Sequence, residues 1–466
     1  MTGPAAPGSS AAFAKSPLTP LALAQFICSF AGSNMNVMIN DIGRDLNTTV
    51  KGVQSTITLF LLIMAVLMIP CSKLTDRWGR KRCFLAGLTL YGIGALTSAF
   101  SPTLAVLILG NSVLEGVGTA LLIPPVYILA TMAFDDLRSR ARAFGLISGL
   151  GGVGAAAGPL IGGFIATAIT WRAAFVFQAV VVAVIVFLSR RIADPVPPDP
   201  TRPFDAAGAV LSAVGMFFVV FGILQAGKNA LLMTAFLVVG VGFLIWFFLH
   251  IRARERAGKE PLLTTRLFRN RTSDLGLVTQ NMQWLVLMGT SFVVAVFLQK
   301  VRGYNAIQTG VVFTAATAGI LVSSLAAERL AKKHAQKNLI SAGFAMTVAG
   351  IAVLLALVEA SSRVVAFVPG LLLIGLGVGV MLTPSVNVVQ SSFPEEQQGE
   401  ISGLSRSVSN LGSSFGTAIA GTILISGLAE GNRSYALAMM ALAIFALVGL
   451  AAAIRLPADP GDAVTP

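Results

Sequence analysis

A few ionisable side chains inside long apolar segments are the residues of this sequence that could do chemistry. Glu115 lies within the apolar run 106–128, and Arg406 lies within a second apolar segment near the C-terminus. Asp41 sits closer to the end of an apolar segment. A charge held in apolar surroundings is costly, and such groups commonly relay protons or hold ions. We therefore take Glu115, Asp41 and Arg406 as candidates for proton uptake and release.

Other chemistry finds little support in the sequence. His250 and His334 lie in basic segments with no spacing typical of metal ligands. The three cysteines show no pairing pattern and are expected to be reduced. No G-x-x-x-x-G-K-[ST] loop and no nucleophile–base pair can be identified. The sequence therefore predicts no enzyme activity, no metal and no cofactor.

The composition indicates that lipid surrounds most of these residues. The chain has 466 residues, of which 55% are hydrophobic and 11% charged, and the mean hydropathy is +0.82. Soluble domains carry roughly 25% charged residues, so this surface could not face water. The net charge of +13 resides in short breaks between apolar runs, which argues against a nucleic-acid partner and for a bilayer.

Apolar segments of about 20 residues are needed to span a bilayer, and the chain has fourteen of them. Basic residues concentrate in every second break, which predicts that both termini are cytoplasmic. The predicted spans are 18–41, 53–72, 83–100, 103–133, 140–169, 172–189, 206–226, 230–249, 275–299, 306–328, 338–358, 364–391, 399–427 and 433–454.

The sequence repeats itself at an offset of 252–259 residues. Residues 72–81 match 324–333, 116–125 match 375–384, and three glycines at 154, 158 and 163 match glycines at 412, 416 and 421. Each copy contains six spans, and two further spans lie between the copies. We predict an all-α membrane protein with a tail (1–17), a first bundle (18–190), a linker with two extra helices (191–274), a second bundle (275–455) and a tail (456–466).

Polar side chains along the spans predict a cavity between the bundles. Each of them could equally form hydrogen bonds between helices. Together their amide and aromatic groups suit an amphipathic, neutral or weakly cationic small molecule. These candidates are Asn34, Asn36, Asn40, Tyr127, Gln178, Gln280, Gln283, Trp284, Asn387, Gln390 and Asn410.

Two motifs resemble those of the major facilitator superfamily, specifically its fourteen-helix drug:proton antiporters, and the resemblance covers roughly residues 18–455. Residues 72–81 resemble the loop motif G-x-L-a-D-R-x-G-R-K, with Ser72 at the first glycine. Residues 151–163 resemble the antiporter motif of the fifth helix. The resemblance implies gating roles for Asp76, Arg77, Gly79, Arg80 and Lys81, and a tight helix seam at Gly151, Gly154, Gly158, Pro159, Gly162 and Gly163.

The residues of both motifs also have roles that follow from charge and packing alone. A carboxylate at position 76 would lie near the positive end of the helix that starts near Gly399, and would hold the bundles together on the cytoplasmic side. The basic residues of that loop could also serve as a topology signal alone. Glycines spaced by four clear one helix face for a neighbour, whether for gating or for ordinary packing.

The resemblance implies export of small amphipathic compounds by a monomer in the bacterial plasma membrane, driven by the proton gradient. The helix-1 acid and the helix-4 arginine of these antiporters are Ala31 and Ser112 here, and Glu115 stands at their glutamine. We hypothesise that Glu115 carries the proton; alternatively it is a structural residue bonded across helices or paired with Arg406. A lipid, sugar or metabolite transporter of the same fold, or a non-transporting membrane sensor, remains an alternative.

Overall fold

A computed structural model shows a chain built from long helices. It describes residues 18–457 apart from 134–136, 191, 193–197, 202, 226–228, 332, 361–363, 394–396 and 426–431. Within those residues all regular structure is helical, as predicted. We call the side on which α1 begins the inner side, because the sequence predicts that it faces the cytoplasm.

The first six long helices form the first bundle. Helix α1 runs Leu18–Asn34 and continues through a 3₁₀ turn, Met35–Met38, into Ile39–Asp45. Helix α4 contains Leu104–Leu107, a π-helical stretch at Ile108–Glu115, and Gly116–Ala133. The others are α2 (Val50–Trp78), α3 (Arg80–Ala99), α5 (Leu137–Ala168) and α6 (Trp171–Ser189).

The inserted pair and the second bundle follow. The inserted helices are α7 (Ala206–Gln225) and α8 (Ala230–Arg256). The second bundle contains α9 (Arg271–Val296, continued by a π turn at Phe297–Val301), α10 (Ala306–Ala331), α11 (Gln336–Ala360), α12 (Phe367–Gln390), α13 (Gln398–Ile425) and α14 (Asn432–Ile454). Each of the fourteen predicted spans overlaps one of these helices.

Length and hydropathy together qualify eleven of the described helices to cross a membrane, and twelve when the bent helix α5 counts as one span. Helices α3 and α13 fall short. Helix α3 begins with three basic residues, and α13 carries a run of serines together with Arg406. In α13, Ser405, Ser407 and Ser414 are buried and donate to other helices, which is the arrangement that a bilayer tolerates.

Helix packing repeats between the bundles, as the internal sequence repeat predicts. Helix α1 packs on α5, and its counterpart α9 packs on α13. Helix α3 packs on α4 and α6, and α11 packs on α12 and α14. The bundles touch through two equivalent seams, α2 with α13 and α5 with α10. The inserted helix α7 packs on α8 and also contacts α2 and α13.

Candidate functional site

In the inner half of the structure, an arginine of the second bundle reaches across to the first. Arg406 of α13 donates a hydrogen bond to the Tyr127 hydroxyl of α4, and its guanidinium carbon lies 4.9 Å from the centre of the Tyr127 ring. The same hydroxyl lies 3.4 Å from Oε1 of Gln25 on α1. Both Arg406 and Tyr127 are half-buried. Two predicted site residues therefore face each other across the interface, and Gln25 joins them although the sequence analysis did not select it.

Several other candidate residues bond helices of the second bundle to one another. Gln280 donates to the Ser385 carbonyl at 3.0 Å and accepts from the Ser405 hydroxyl at 2.8 Å. Gln390 donates to the hydroxyl of Ser402 at 3.4 Å. These contacts join α9, α12 and α13, so Gln280 and Gln390 position the helices that form one side of the interface.

Two candidate amides are buried without a described partner. Asn34 on α1 and Gln283 on α9 are 0% and 1% exposed, and neither side chain has a hydrogen bond within the residues that the structure describes. A buried amide without a partner costs free energy, so these groups are suited to a polar ligand or to water. Trp284 and Asn410 are half-buried, and Asn387 is exposed.

Glu115 lies inside the first bundle instead of at the interface. Its side chain is fully buried; Oε1 lies 3.4 Å from the Ser98 hydroxyl of α3, and Oε2 lies 3.3 Å from the amide of Asn111. The alternative that Glu115 pairs with Arg406 is not seen among the described residues, since Arg406 contacts Tyr127 and Glu115 contacts Ser98 and Asn111. The π-helical stretch of α4 ends at this carboxyl group, and such stretches are frequent at functional sites.

Gln178 also lies inside the first bundle, where our expectation had placed it at the cavity. It is fully buried on α6 and accepts a hydrogen bond from the Tyr91 hydroxyl of α3. Ser112, at the position of the family's arginine, donates to the Thr56 carbonyl of α2 at 2.8 Å. Sequence polarity selected Gln178 but could not tell helix-to-helix bonding from ligand contact, and Ser112 was noted only for its departure from the family pattern.

Amide groups close the interface on the outer side. Gln299 of α9 accepts from the backbone N–H of Asn40 at 3.0 Å and donates to the Asn36 carbonyl at 2.8 Å, and the Asn40 amide donates to the Gln299 carbonyl at 2.8 Å. Asn36 and Asn40 thus serve the outer seam. Gln54 of α2 adds a bond to the Thr417 carbonyl at 3.1 Å. Asp41 lies half-buried near this end of α1.

The glycine motif of α5 lies against two different helices. Added methyl groups at Gly154 and Gly158 would overlap the Phe26 carbonyl and the Ser33 side chain of α1. A methyl group at Gly163 would overlap the Ala306 carbonyl of α10, in the other bundle. Helix α5 also bends by 42° between 149–155 and 157–168, where Pro159 cannot supply a backbone hydrogen bond. Gly151 and Gly162 pack on Gln25 and Asn34 of α1.

A lysine closes the inner end of the α2–α13 seam. Lys73 of α2 lies 2.5 Å from a carboxylate oxygen of Glu400 on α13 and 3.1 Å from Glu260, which follows α8. Thr264 donates to the second oxygen of Glu400 at 3.1 Å. Lys73 therefore ties both bundles to the segment between α8 and α9. The sequence alone does not indicate this contact, because nothing in the spacing of distant residues reveals it.

That segment, residues 257–270, is anchored by apolar side chains and is called the strap below. Leu262, Leu263 and Leu267 are buried in one cluster with Ile69, Leu277, Val389, Ile401 and Leu404. The last five residues come from α2, α9, α12 and α13, so the strap covers the inner end of the seam between the bundles. Three leucines in an otherwise basic linker are the sequence signal that would have revealed it.

Asp205 fastens the strap to the inserted pair. Its buried carboxylate caps α7 by accepting from Gly208 N–H at 3.0 Å, and it also contacts His250 Nε2 at 2.9 Å and Leu262 N–H at 3.2 Å. Burial alone would raise the pKa of Asp205, but the hydrogen bonds, first among them the one from His250, hold this pKa below its ordinary value.

We expect Asp205→Ala to release the strap. The loss of the cap alone costs about 0.5–2 kcal/mol, and Leu262 N–H loses its acceptor. Limited proteolysis of the purified protein should then cut within 257–270 faster than in wild type. Because the folded pKa lies below the unfolded value of about 3.9, wild type keeps the anchor at neutral pH and loses it as the pH falls through the folded pKa. Equal cleavage of Asp205→Ala and Asp205→Asn, which keeps one acceptor oxygen, would contradict this role.

The loop motif after α2 is partly described. Gly79 has a φ of 94°, a conformation that glycine adopts without strain. Lys81 donates to the Arg190 carbonyl at 3.3 Å, and Arg77 lines a surface cavity of about 430 Å³ with Trp78 and Arg82. The side chain of Asp76 lies outside the described residues. The expected contact of Asp76 with the start of α13 therefore stays a prediction.

Comparisons with known proteins agree with this architecture. A sequence model of the Major Facilitator Superfamily matches residues 21–417 and 276–466. The chain is 27% identical over 400 residues to the multidrug resistance protein Stp of Mycobacterium tuberculosis, covering 84% of this chain and 73% of that protein. It is 28% identical over 415 residues to the puromycin resistance protein pur8 of Streptomyces alboniger, covering 87% and 81%. A crystal structure of a peptide transporter, POT, superimposes with a TM-score of 0.70 at 17% identity, covering 94% of each chain.

Proposed function

The chain belongs to the major facilitator superfamily, and from that premise we propose that it exports small amphipathic compounds by alternating access, driven by proton entry. The observation that carries the proposal is the Arg406–Tyr127–Gln25 contact, which lies between the bundles with closed seams on both sides. Relatives named for multidrug and puromycin resistance support the class of substrate. The chain is thus a membrane transporter and not an enzyme.

Alternating access requires that one seam open while the other stays closed. On the outer side the seam consists of uncharged hydrogen bonds and glycine contacts, centred on Gln299 and Gly163. On the inner side it consists of the Lys73–Glu400 ion pair and the strap. The two sides therefore differ in chemistry. We propose that opening of the inner side breaks an ion pair, while opening of the outer side breaks hydrogen bonds between amide groups.

We propose that Glu115 is the proton-coupling group. In the described structure its carboxyl contacts only neutral donors, Ser98 and Asn111, at lengths typical of weak hydrogen bonds. A buried carboxylate without a cation is costly, so we expect this carboxyl group to bind a proton in this conformation. Glu115 and Tyr127 share α4, so a change in the α3–α4 contact at Glu115 would be carried to the interface.

We expect Glu115→Gln to fold but to lose its dependence on the pH gradient, since the amide imitates the protonated acid. Export of dansylglycine, a fluorescent amphipathic acid, from loaded proteoliposomes, with and without an imposed gradient, measures this. Wild type should be stimulated about tenfold or more by inward proton flow, as expected when one coupled step is worth about 1.4 kcal/mol. The matched control is Asp199→Asn, which alters an exposed carboxylate in the segment that joins α6 to α7. A gradient response in Glu115→Gln equal to wild type would reject the assignment.

A second function has one observation in its favour. The positions of the usual proton-linked pair hold Ala31, which is buried, and Ser112, which is bonded to α2. A transporter of the same fold for a lipid, sugar or other metabolite, coupled to another ion, would fit these positions. Replacing the pH gradient by a sodium gradient in the same proteoliposomes distinguishes the two.

A further inference from the structure

Arg406 is a cation without a carboxylate partner in the described structure. The carboxylates that form ion pairs there are Asp45, Asp205, Glu260 and Glu400, and their cations are other residues. Arg406 instead contacts the ring and hydroxyl of Tyr127, which are neutral. It is the ninth residue of α13, and therefore lies about 12 Å along the helix from its inner end. A positive charge at that depth favours an anion beside it.

The guanidinium group retains most of its donors. It has five N–H groups in a planar fork that fits a carboxylate, and one described hydrogen bond, to Tyr127, uses one of them. Half-burial keeps the group within reach of a molecule in the interface while removing part of its water.

Nearby groups suit the rest of an amphipathic molecule. Asn410 lies one turn further along α13 on the same face as Arg406. Gln25 lies on the opposite bundle beside Tyr127, and its amide bonds the hydroxyls of Tyr127 and Ser29. Aromatic and amide surface thus surrounds one positive charge.

We propose that the site selects amphipathic organic anions, with Arg406 as their counter-ion. This inference rests on the proposed export function and replaces the expected preference for neutral or weakly cationic compounds. An acid bound to Arg406 competes with the Tyr127 hydroxyl for the guanidinium. Since that bond joins α4 to α13, binding of the anion weakens a contact between the bundles and links loading to their movement.

Three probes of the same fluorophore but different charge test the inference: dansylglycine, dansylglycinamide and dansylcadaverine. Each is loaded at equal concentration into proteoliposomes containing the full chain. We expect the acid to be exported about tenfold faster than the amide or the amine, as befits a charged hydrogen-bonded pair. Arg406→Gln should remove this preference, and Arg406→Lys should keep part of it.

Controls separate a specific role from a structural one. Arg433→Gln removes an equal charge from an exposed position on α14 and should leave the preference intact. Tyr127→Phe keeps the ring but removes the competing hydroxyl, so the apparent affinity for dansylglycine should equal or exceed that of wild type. Both support the inference if observed.

Three outcomes would overturn it. Faster export of the amide or amine by wild type removes the anion preference and leaves the export function standing. An equal fall for all three probes in Arg406→Gln assigns the residue to structure alone. If no probe moves under any gradient, the proposed export function fails as well, and the inference falls with it.

Discussion

Gly163→Ala should abolish most export while leaving the protein folded. The added methyl group would overlap the Ala306 carbonyl of α10, so α5 and α10 must separate where the bundles meet on the outer side. Overpacking of this kind costs about 1–3 kcal/mol. Because the overlap exists only when the outer seam is closed, this cost shifts the equilibrium between conformations by about tenfold to a hundredfold.

Transport and leak should change in opposite directions. Export of dansylglycine by Gly163→Ala proteoliposomes should fall by about tenfold or more, and their passive proton permeability should rise. Gly152→Ala is the matched control, because it lies on the same helix and its methyl group would meet no atom within 4 Å. Thermal unfolding of both variants monitors the fold. If Gly163→Ala exports like Gly152→Ala, the seam does not depend on this contact.

Lys73→Met should open the inner seam. It removes the cation between Glu400 and Glu260 and leaves the half-buried Glu400 carboxylate with the Thr264 hydroxyl. Hydrogen bonds to charged groups contribute about 1.5–3 kcal/mol, so the open inner conformation should gain about tenfold or more in population. Export should slow, since the inner side must stay closed while substrate leaves outward.

Maleimide labelling of a cysteine placed at Ser72 measures this opening. Ser72 faces Gly403 across the seam, with 3.4 Å between Ser72 Cβ and a Cβ built on Gly403. The three natural cysteines are buried, and serine replaces them in the labelling background. Glu260→Gln is the control; its side chain is 48% exposed, and such pairs contribute about 0.2–1 kcal/mol. Labelling of Lys73→Met at the wild-type rate would show that the strap holds the seam without the lysine.

Much of the fold can be predicted from short segments of the sequence. Apolar segments determine the fourteen helices, because a bilayer requires long helices whose backbone bonds are internal. The internal repeat predicts equivalent packing, and the α1–α5 and α9–α13 pairs have it. The spacing of Gly154 and Gly158 likewise predicts a closely packed helix face, since residues four apart lie on one face of a helix.

The candidate site was less accessible to sequence reasoning. Tyr127 and Arg406 could be selected one by one, but their contact spans 279 residues of sequence. Gln178 and Gln280 carry the same amide in the same kind of apolar segment, and only their neighbours show that they bond helices. Lys73 belongs to the basic stretch at the end of α2, whose charges predict topology equally well. Whether a polar side chain faces the interface or a neighbouring helix depends on the rotation of its helix about the helix axis. Polarity alone does not fix that rotation.

The inserted helix α7 makes the two flanks of the transporter unequal. It contacts α2 and α13, and Ile223 accepts a hydrogen bond from Thr422 of α13 at 3.5 Å. On the opposite flank, α5 and α10 keep exposed apolar side chains such as Phe164 and Val311. A compound dissolved in the acyl chains would thus find the α2–α13 seam covered by α7, whereas α5 and α10 face the chains directly and would admit it only when their seam opens. Sideways loading from the bilayer is accordingly expected from one direction.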